Sequence, residues 1–349
     1  MIRQLSRSFI HLFYFFCLIS SSFVQAATLQ DIAQRYAPVF YFHSQESYLP
    51  SSVDWYVNQV ELRYQKNPVV PAGSLNLQNL AEWQPRSGEI IPKSLAEKDL
   101  ALKIPDQNED MIRIGDISSA TCYTHPHYID QGRAIEINYI LFFPFNGQAF
   151  THSKLINRLF FRFGVGFHEG DFEHITVRVS PDGSKVYGVY YSAHANEETW
   201  LTQDIPVTPQ GQPLAYVALN THANYPIAGT IHRRILTPEW IYKYFYIRKS
   251  WTPLLDLTDN KGPTLNCREK MTYLDPDHLN DHSWLSFNGR WGSKSSERYS
   301  SSGPGTFSHS DWFNNQEDIN STFNLNIKKL KFHSRPHTFS DPELIMDSK

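Results

Sequence analysis

The chain has 349 residues, of which 41% are hydrophobic and 14% aromatic, and a formal charge of −3 with its 15 histidines neutral. Acids and bases so nearly balanced exclude the basic surface that a nucleic-acid partner requires, so no nucleic acid is expected as a ligand. Beyond residue 26 no stretch supplies the roughly 18 apolar residues of a spanning helix, so no transmembrane segment is expected in the mature chain.

In chain order, residues 1–26 read as a secretory signal peptide: Arg3 and Arg7 lead, an apolar run from Phe9 to Ile19 follows, and Val24-Gln25-Ala26 offers a cleavage site. The remainder, 27–349, is then expected to be secreted or periplasmic, as one β-sandwich-type domain. Cys17 leaves with the signal, and Cys122 and Cys267 remain in an oxidising compartment, where they can form one disulfide or stay as two buried thiols. Thr28 is placed to cap a helix at LQDIAQRYA, with Leu29, Ile32, Ala33 and Tyr36 on one face. Ser51 with Asp54 resembles a capping box opening a second helix, and Thr237-Pro238 starts a third candidate. From about 60 to 115 the chain is polar and proline-marked, with weak helical pieces at LNLQNLAEW and SLAEKDLALKI, and reads as an elaboration of the same domain. The centre alternates: Ile135, Ile137, Tyr139 and Leu141 share one side, and ITVRV, KVYGVYYSAH and PLAYVALNTH have strand length, separated by turns at Pro181-Asp182-Gly183 and at 209–213. After about Asp275 the composition turns to Ser, Asn, Asp and Gly, as in long loops and a loosely held tail. The fold class expected is mainly β, an antiparallel β-sandwich with a few peripheral helices and long loops.

The segment GFHEGDFEHITVRV, 166–179, carries the densest chemistry. On a strand, Asp171 and Glu173 share parity with Ile175, Val177 and Val179, so the acids lie on the apolar face. Carboxylates there are costly unless paired, hydrogen-bonded or bound to a metal. His168 stands just before them, and Gly170, lacking a side chain, lets the chain fold back and bring the imidazole close. A pair of acids satisfied by Arg178, Arg133 or backbone amides is the plainer alternative. Two further histidines end strand-like segments in the same tripeptide, His194 in SAHANEE and His222 in NTHANYP. If those ends are level, His168, Asp171, Glu173, His194 and His222 form one candidate ligand set for a divalent cation, Zn through imidazoles or Ca or Mg through the acids. His125 and His127 face one way on a strand and are a lesser candidate, whose plainer reading is an exposed pair flanking a turn. Phosphate-loop, nucleophile-elbow and Cys-x-x-Cys motifs are absent from the sequence.

Five segments in order, RYAPVFYFHSQESYLPSSVDWYV, YILFFPFNG, GFHEGDFEHITVRV, YVALNTHANYP and FNGRWG, resemble the vacuolar protein sorting-associated protein 62 family. Phe172 stands where that family usually shows Trp. HEGDFEH is also similar to the Gly-His-Arg-His-Asp-Trp-Glu heptapeptide of the necrosis-inducing, ethylene-inducing peptide-like proteins. Position by position, that likeness implies a divalent cation on His168, Asp171 and Glu173 at one end of a β-sandwich, in secreted cytolysins that engage membrane sphingolipid sugars. Three functions compete. The first is cation-dependent binding of a glycan or lipid headgroup, in a toxin-like or surface-interaction role, with Trp200, Tyr225 or Trp291 as sugar-stacking aromatics or else as core. The second is a metal-dependent hydrolase, with Glu173 or a histidine shuttling protons. The third is a structural cation only. An open coordination position favours the first two, a closed shell the third.

Overall fold

Every residue of the longest strand, Ala134–Asn146, is buried although its sequence alternates, because the sheet that contains it is a middle layer covered on both faces. The computed structural model describes residues 27–65, 67–82, 100–193, 199–201, 203–236, 251–275, 282–287, 289–293 and 300–304. The expected signal peptide, the helix candidate opening at Thr237, and His194 lie outside the described residues.

The protein is mainly β. In chain order the strands are β1 (Val39–Phe42), β2 (Glu61–Tyr64), β3 (Asn67–Val70), β4 (Leu100–Lys103), β5 (Cys122–Ile129), β6 (Ala134–Asn146), β7 (His168–Val179), β8 (Val186–Tyr191), β9 (Thr199–Leu201), β10 (Leu214–Val217), β11 (Asn224–Tyr225), β12 (Gly229–Leu236), β13 (Trp251–Thr258), β14 (Thr264–Asn266) and β15 (Met271–Tyr273). The middle sheet runs β15-β5-β6-β7-β8-β9, and a four-stranded sheet, β11-β10-β1-β14, packs on one of its faces. Between them lies a core of Phe40, Phe42, Ile135, Ile137, Tyr139, Leu141, Ile175, Val177, Val179 and Val217. Within these two sheets the described strands pair antiparallel except where β1 meets β10 and β15 meets β5, both parallel.

The first three described helices in the chain position the rest. Helix α1 (Leu29–Tyr36) opens with Thr28 and Asp31 capping each other's backbone, and buries Ile32, Ala33 and Tyr36. Helix α2 (Val53–Val57) is capped by Ser52, one residue later than the sequence suggests, because Ser52 accepts from the Trp55 amide. Its Val53, Tyr56 and Val57 join Leu62, Leu102, Trp284, Phe287 and Trp291 in a second core over the other face of the middle sheet. The 60–115 elaboration therefore supplies a third layer, with the sheet β3-β2-β4 and helix α3 (Leu77–Glu82). Leu100–Lys103, expected within a helical piece, is strand β4: Leu100 and Leu102 recur with period two into that core, and β4 pairs antiparallel with β2. Cys122 and Cys267 form a disulfide with Cα atoms 5.3 Å apart, joining β5 of the middle sheet to the turn after β14 of its neighbour.

Candidate functional site

Strand β7 enters the middle sheet against β6, with Asp171 opposite Phe143 and Glu173 opposite Leu141. Gly170 has φ +64, and a Cβ there would lie 2.5 Å from the Trp291 carbonyl oxygen, so only glycine fits. Opposite it stands Pro144, which has no amide to give the ladder. This break has a consequence for side-chain direction. Glu169 and Asp171 share strand parity yet contact different layers: Glu169 meets Lys103 and the Ile104 amide in the outer layer, whereas Asp171 meets His222 near the four-stranded sheet.

His222 is wholly buried in a turn after β10, with φ +55, and stacks on Phe143 at 3.8 Å between ring centroids. Its Nε2 lies 3.1 Å from the Tyr48 carbonyl oxygen, an obligate acceptor, so Nε2 carries hydrogen. Its Nδ1 lies 3.2 Å from Oδ2 of Asp171. Both ring nitrogens are thus engaged, with one proton held between Nδ1 and Oδ2, and that bond keeps Asp171 in place. Glu46, 4.0 Å from the same ring, accepts from the Tyr48 and Asn220 amides at 2.8 and 2.7 Å. Burial pushes the Glu46 carboxyl up, opposed by His222 and those amides.

The Nδ1 of His168 lies 2.9 Å from the Gly170 carbonyl oxygen, which fixes the hydrogen on Nδ1 and leaves Nε2 with its lone pair. Glu173 is different again. Its Oε2 is buried without a hydrogen-bond partner. Burial first, then the neighbouring Asp171 charge, push its carboxyl well above the ordinary carboxylate range, against a hydrogen bond from Ser192. Among the described residues no three His, Cys, Asp or Glu side chains converge into a ready ligand shell. The donors present, two carboxylates on one face with an orphaned oxygen and an imidazole lone pair three residues before the first of them, fit an oxygen-preferring cation completed by water or by a ligand's hydroxyls.

The family model of vacuolar protein sorting-associated protein 62 matches residues 18–236, a span that holds β1 to β12 and every residue of this site. The chain belongs to this family. FNGRWG, the last of the family-like segments, lies beyond the matched span. Solved structures similar to this family member have the necrosis-inducing toxin fold. One described as "Toxin fold for microbial attack and plant defense" is 10% identical, with 71% of this chain and 75% of that chain covered and a TM-score of 0.32. "NLPPya in complex with glucosamine" gives 10%, 71%, 75% and 0.31. Necrosis and Ethylene inducing Protein 2, from the causal agent of cocoa's Witches Broom disease, gives 12%, 74%, 82% and 0.33. No curated protein matches the chain at a significant level.

Two groups near the site of this vacuolar protein sorting-associated protein 62 family member escape sequence reading. Glu169 is wholly buried, 2.7 Å from Lys103 Nζ, with its carboxyl pushed up to about 7 by burial against the pull of Lys103. Its partner lies 66 positions away, so no local signal marks it. A cleft of about 270 Å³, lined by Tyr48, Asp110, Arg113, Phe161, Arg162 and Phe167, adjoins the site through Tyr48 and through Phe167, the neighbour of His168. Tyr225 and Trp291 are core residues rather than exposed sugar platforms, and the side chain of Trp200 lies outside the described ones. Phe172 packs on Trp291 at 5.2 Å and on Phe142 at 4.8 Å, filling the place of the family's Trp with another aromatic. His125 and His127 are not an exposed pair: their rings stack at 4.5 Å, with His127 3.9 Å from the buried Glu136.

Proposed function

We propose that this protein is a secreted, toxin-like or surface-interacting binding protein that takes up a divalent cation and uses it to hold a glycan or lipid headgroup. The observation that carries this reading is the buried, unpartnered Oε2 of Glu173 beside Asp171. Asp171 has His222 beside it, but Glu173, whose proton affinity burial and the Asp171 charge raise, has no cationic partner among the described residues, and a hard cation supplies one. Asp171, oriented by His222, and Glu173 are the proposed oxygen ligands, with Nε2 of His168 as the nitrogen ligand. The cation would neutralise the pair and polarise whatever oxygen completes its shell. A shell begun by only these three side chains would leave coordination positions open, which favours ligand binding over a purely structural ion. Vicinal sugar hydroxyls or a headgroup phosphate are oxygen donors suited to those positions.

The test is Asp171→Asn, which keeps shape and removes one charge. The folded variant is expected to lose cation-dependent retention on a glycan array and on glycolipid vesicles, while wild type retains it and loses it in chelator. Retention equal in both proteins would remove the site from ligand binding. Turnover of an ester, phosphoester or glycoside by wild type, abolished in the variant, would make the protein a hydrolase instead.

A further inference from the structure

Helix α4 (Glu109–Arg113) and helix α5 (Lys154–Phe163) meet across the cleft beside the site, where Asp110 and Arg113 face Phe161 and Arg162. Helix α5 is built inside out. Its inner face buries Asn157, bonded to Thr151, and Phe160, packed on Leu254. Ser153 caps its start, and Gly164 ends it in the left-handed region at φ +65, so the helix is anchored without help from its outer face. That outer face nevertheless presents Leu155 at 67% exposure and Phe161 at 46%, while Met111 on α4 and Ile114 just after it are 61% and 52% exposed. Four of the nine exposed large apolar side chains of the described residues lie on these two helices and a fifth, Ile114, directly follows one of them, a concentration that folding alone does not require.

The charge between them has one sign on α5. Lys154, Arg158 and Arg162 share the helix with no acid, and Arg158 and Arg162 make no ion pair among the described residues. The acids of the neighbouring segment are mostly committed: Glu109 pairs with Arg113 and lies 3.9 Å from Lys103, and Asp106 lies 3.4 Å from Lys103, so Asp110 is the carboxylate left at the cleft.

We propose that the outer surface of α4 and α5 docks on a bilayer carrying anionic phospholipids, with Met111, Leu155 and Phe161 entering the headgroup boundary and Arg158 and Arg162 pairing with lipid phosphates. Arginines interleaved with apolar side chains on a convex helix match an interface whose apolar and anionic layers are stacked, since the guanidinium can reach outward while its stem stays among the apolar groups. The docking goes beyond the function proposed above, because it requires neither the cation nor a sugar. It would bring the cation site to the membrane surface, the cleft lying between the two.

The experiment is co-sedimentation of the mature protein with glycan-free vesicles of phosphatidylcholine, with and without about 30% phosphatidylserine, in excess chelator. Wild type is expected to sediment with the anionic vesicles only, and Glu173→Ala to do the same, so failure of the cation reading leaves this outcome unchanged. Each basic residue at an anionic surface contributes roughly fivefold to partitioning, so Arg158→Gln with Arg162→Gln is expected to weaken binding about 30-fold with an unchanged circular dichroism spectrum. Leu155→Ser with Phe161→Ser, also folded because both sites are exposed, is expected to abolish it. Anionic-vesicle binding that is absent in chelator, or equal in all variants, would overturn the proposal. So would concentration-dependent dimerisation of wild type, lost in the serine variant, without any vesicle binding, which would make the patch a protein interface.

Discussion

Reducing the bond between Cys122 and Cys267 is expected to remove a large part of the protein's stability. The two residues are 145 positions apart, and the chain between them includes all of β5 to β14, so the cross-link restricts most of the β-structure in the unfolded state. In the loop-entropy description a closed loop of that length costs the unfolded chain about 17 cal/mol/K, or about 5 kcal/mol at 25 °C. A domain's whole margin is about 5–15 kcal/mol, so the reduced protein is expected near the edge of folding. The bond also joins two sheets whose core residues face each other, and reduction frees the layers to separate. The assay is urea unfolding with and without a phosphine reductant, beside Cys122→Ala with Cys267→Ala. Reduction is expected to lower the midpoint and to raise the slope, because an unlinked unfolded chain exposes more surface. Two titratable thiols in the unfolded, non-reduced protein, or a midpoint indifferent to reductant, would refute the reasoning.

Three other outcomes follow from particular residues. Arg178 pairs through Nε, 2.9 Å from Glu136, and both are buried, so Arg178→Met strands a carboxylate and should cost about 3–5 kcal/mol in urea unfolding, with the added Glu136→Met restoring much of it. His127 is held down to about 4, from 6.5, chiefly by burial and then by His125. The unfolded chain therefore takes the proton first as pH falls, and stability intact above pH 6.5 is lost toward pH 4. That loss is of order 3 kcal/mol, and it should be missing from the pH profile of His127→Phe. Export with removal of the signal should give a mature protein starting at Ala27, or at Thr28, the residue that caps α1, according to whether cleavage follows Ala26 or Ala27; amino-terminal sequencing that finds Met1 would contradict it.

Local patterns made much of this molecule legible. Thr28 ahead of the face of Leu29, Ile32, Ala33 and Tyr36 gave away α1, and the period-two parity of Ile135, Ile137, Tyr139 and Leu141 named one face of β6, all four of them core residues. The same parity put Asp171 and Glu173 on the apolar face. What stayed hidden depends on contacts far apart in the chain. The second face of β6 looks open until the 60–115 elaboration covers Ile140 and Phe142, and His125 and His127 stack on each other on β5, with His125 buried. Glu169 reads like its neighbours until the left-handed Gly170 turns it to Lys103. Leu100–Lys103 is helical by composition and a strand because β2 is there to pair with it. His222 was legible as a site residue but not as the group that engages Asp171 and the Tyr48 carbonyl at once, which needs a turn after β10 to meet a loop from near the start of the domain.

The central claim is that Asp171 and Glu173 share a cation. Elemental analysis of the purified mature protein, beside Glu173→Ala, tests it most directly. Wild type dialysed without chelator is expected to hold about one equivalent of a divalent metal, and the variant, folded by circular dichroism, to hold none. No metal in wild type, with a carboxyl proton shared between Asp171 and Glu173 in the infrared spectrum, would contradict the account.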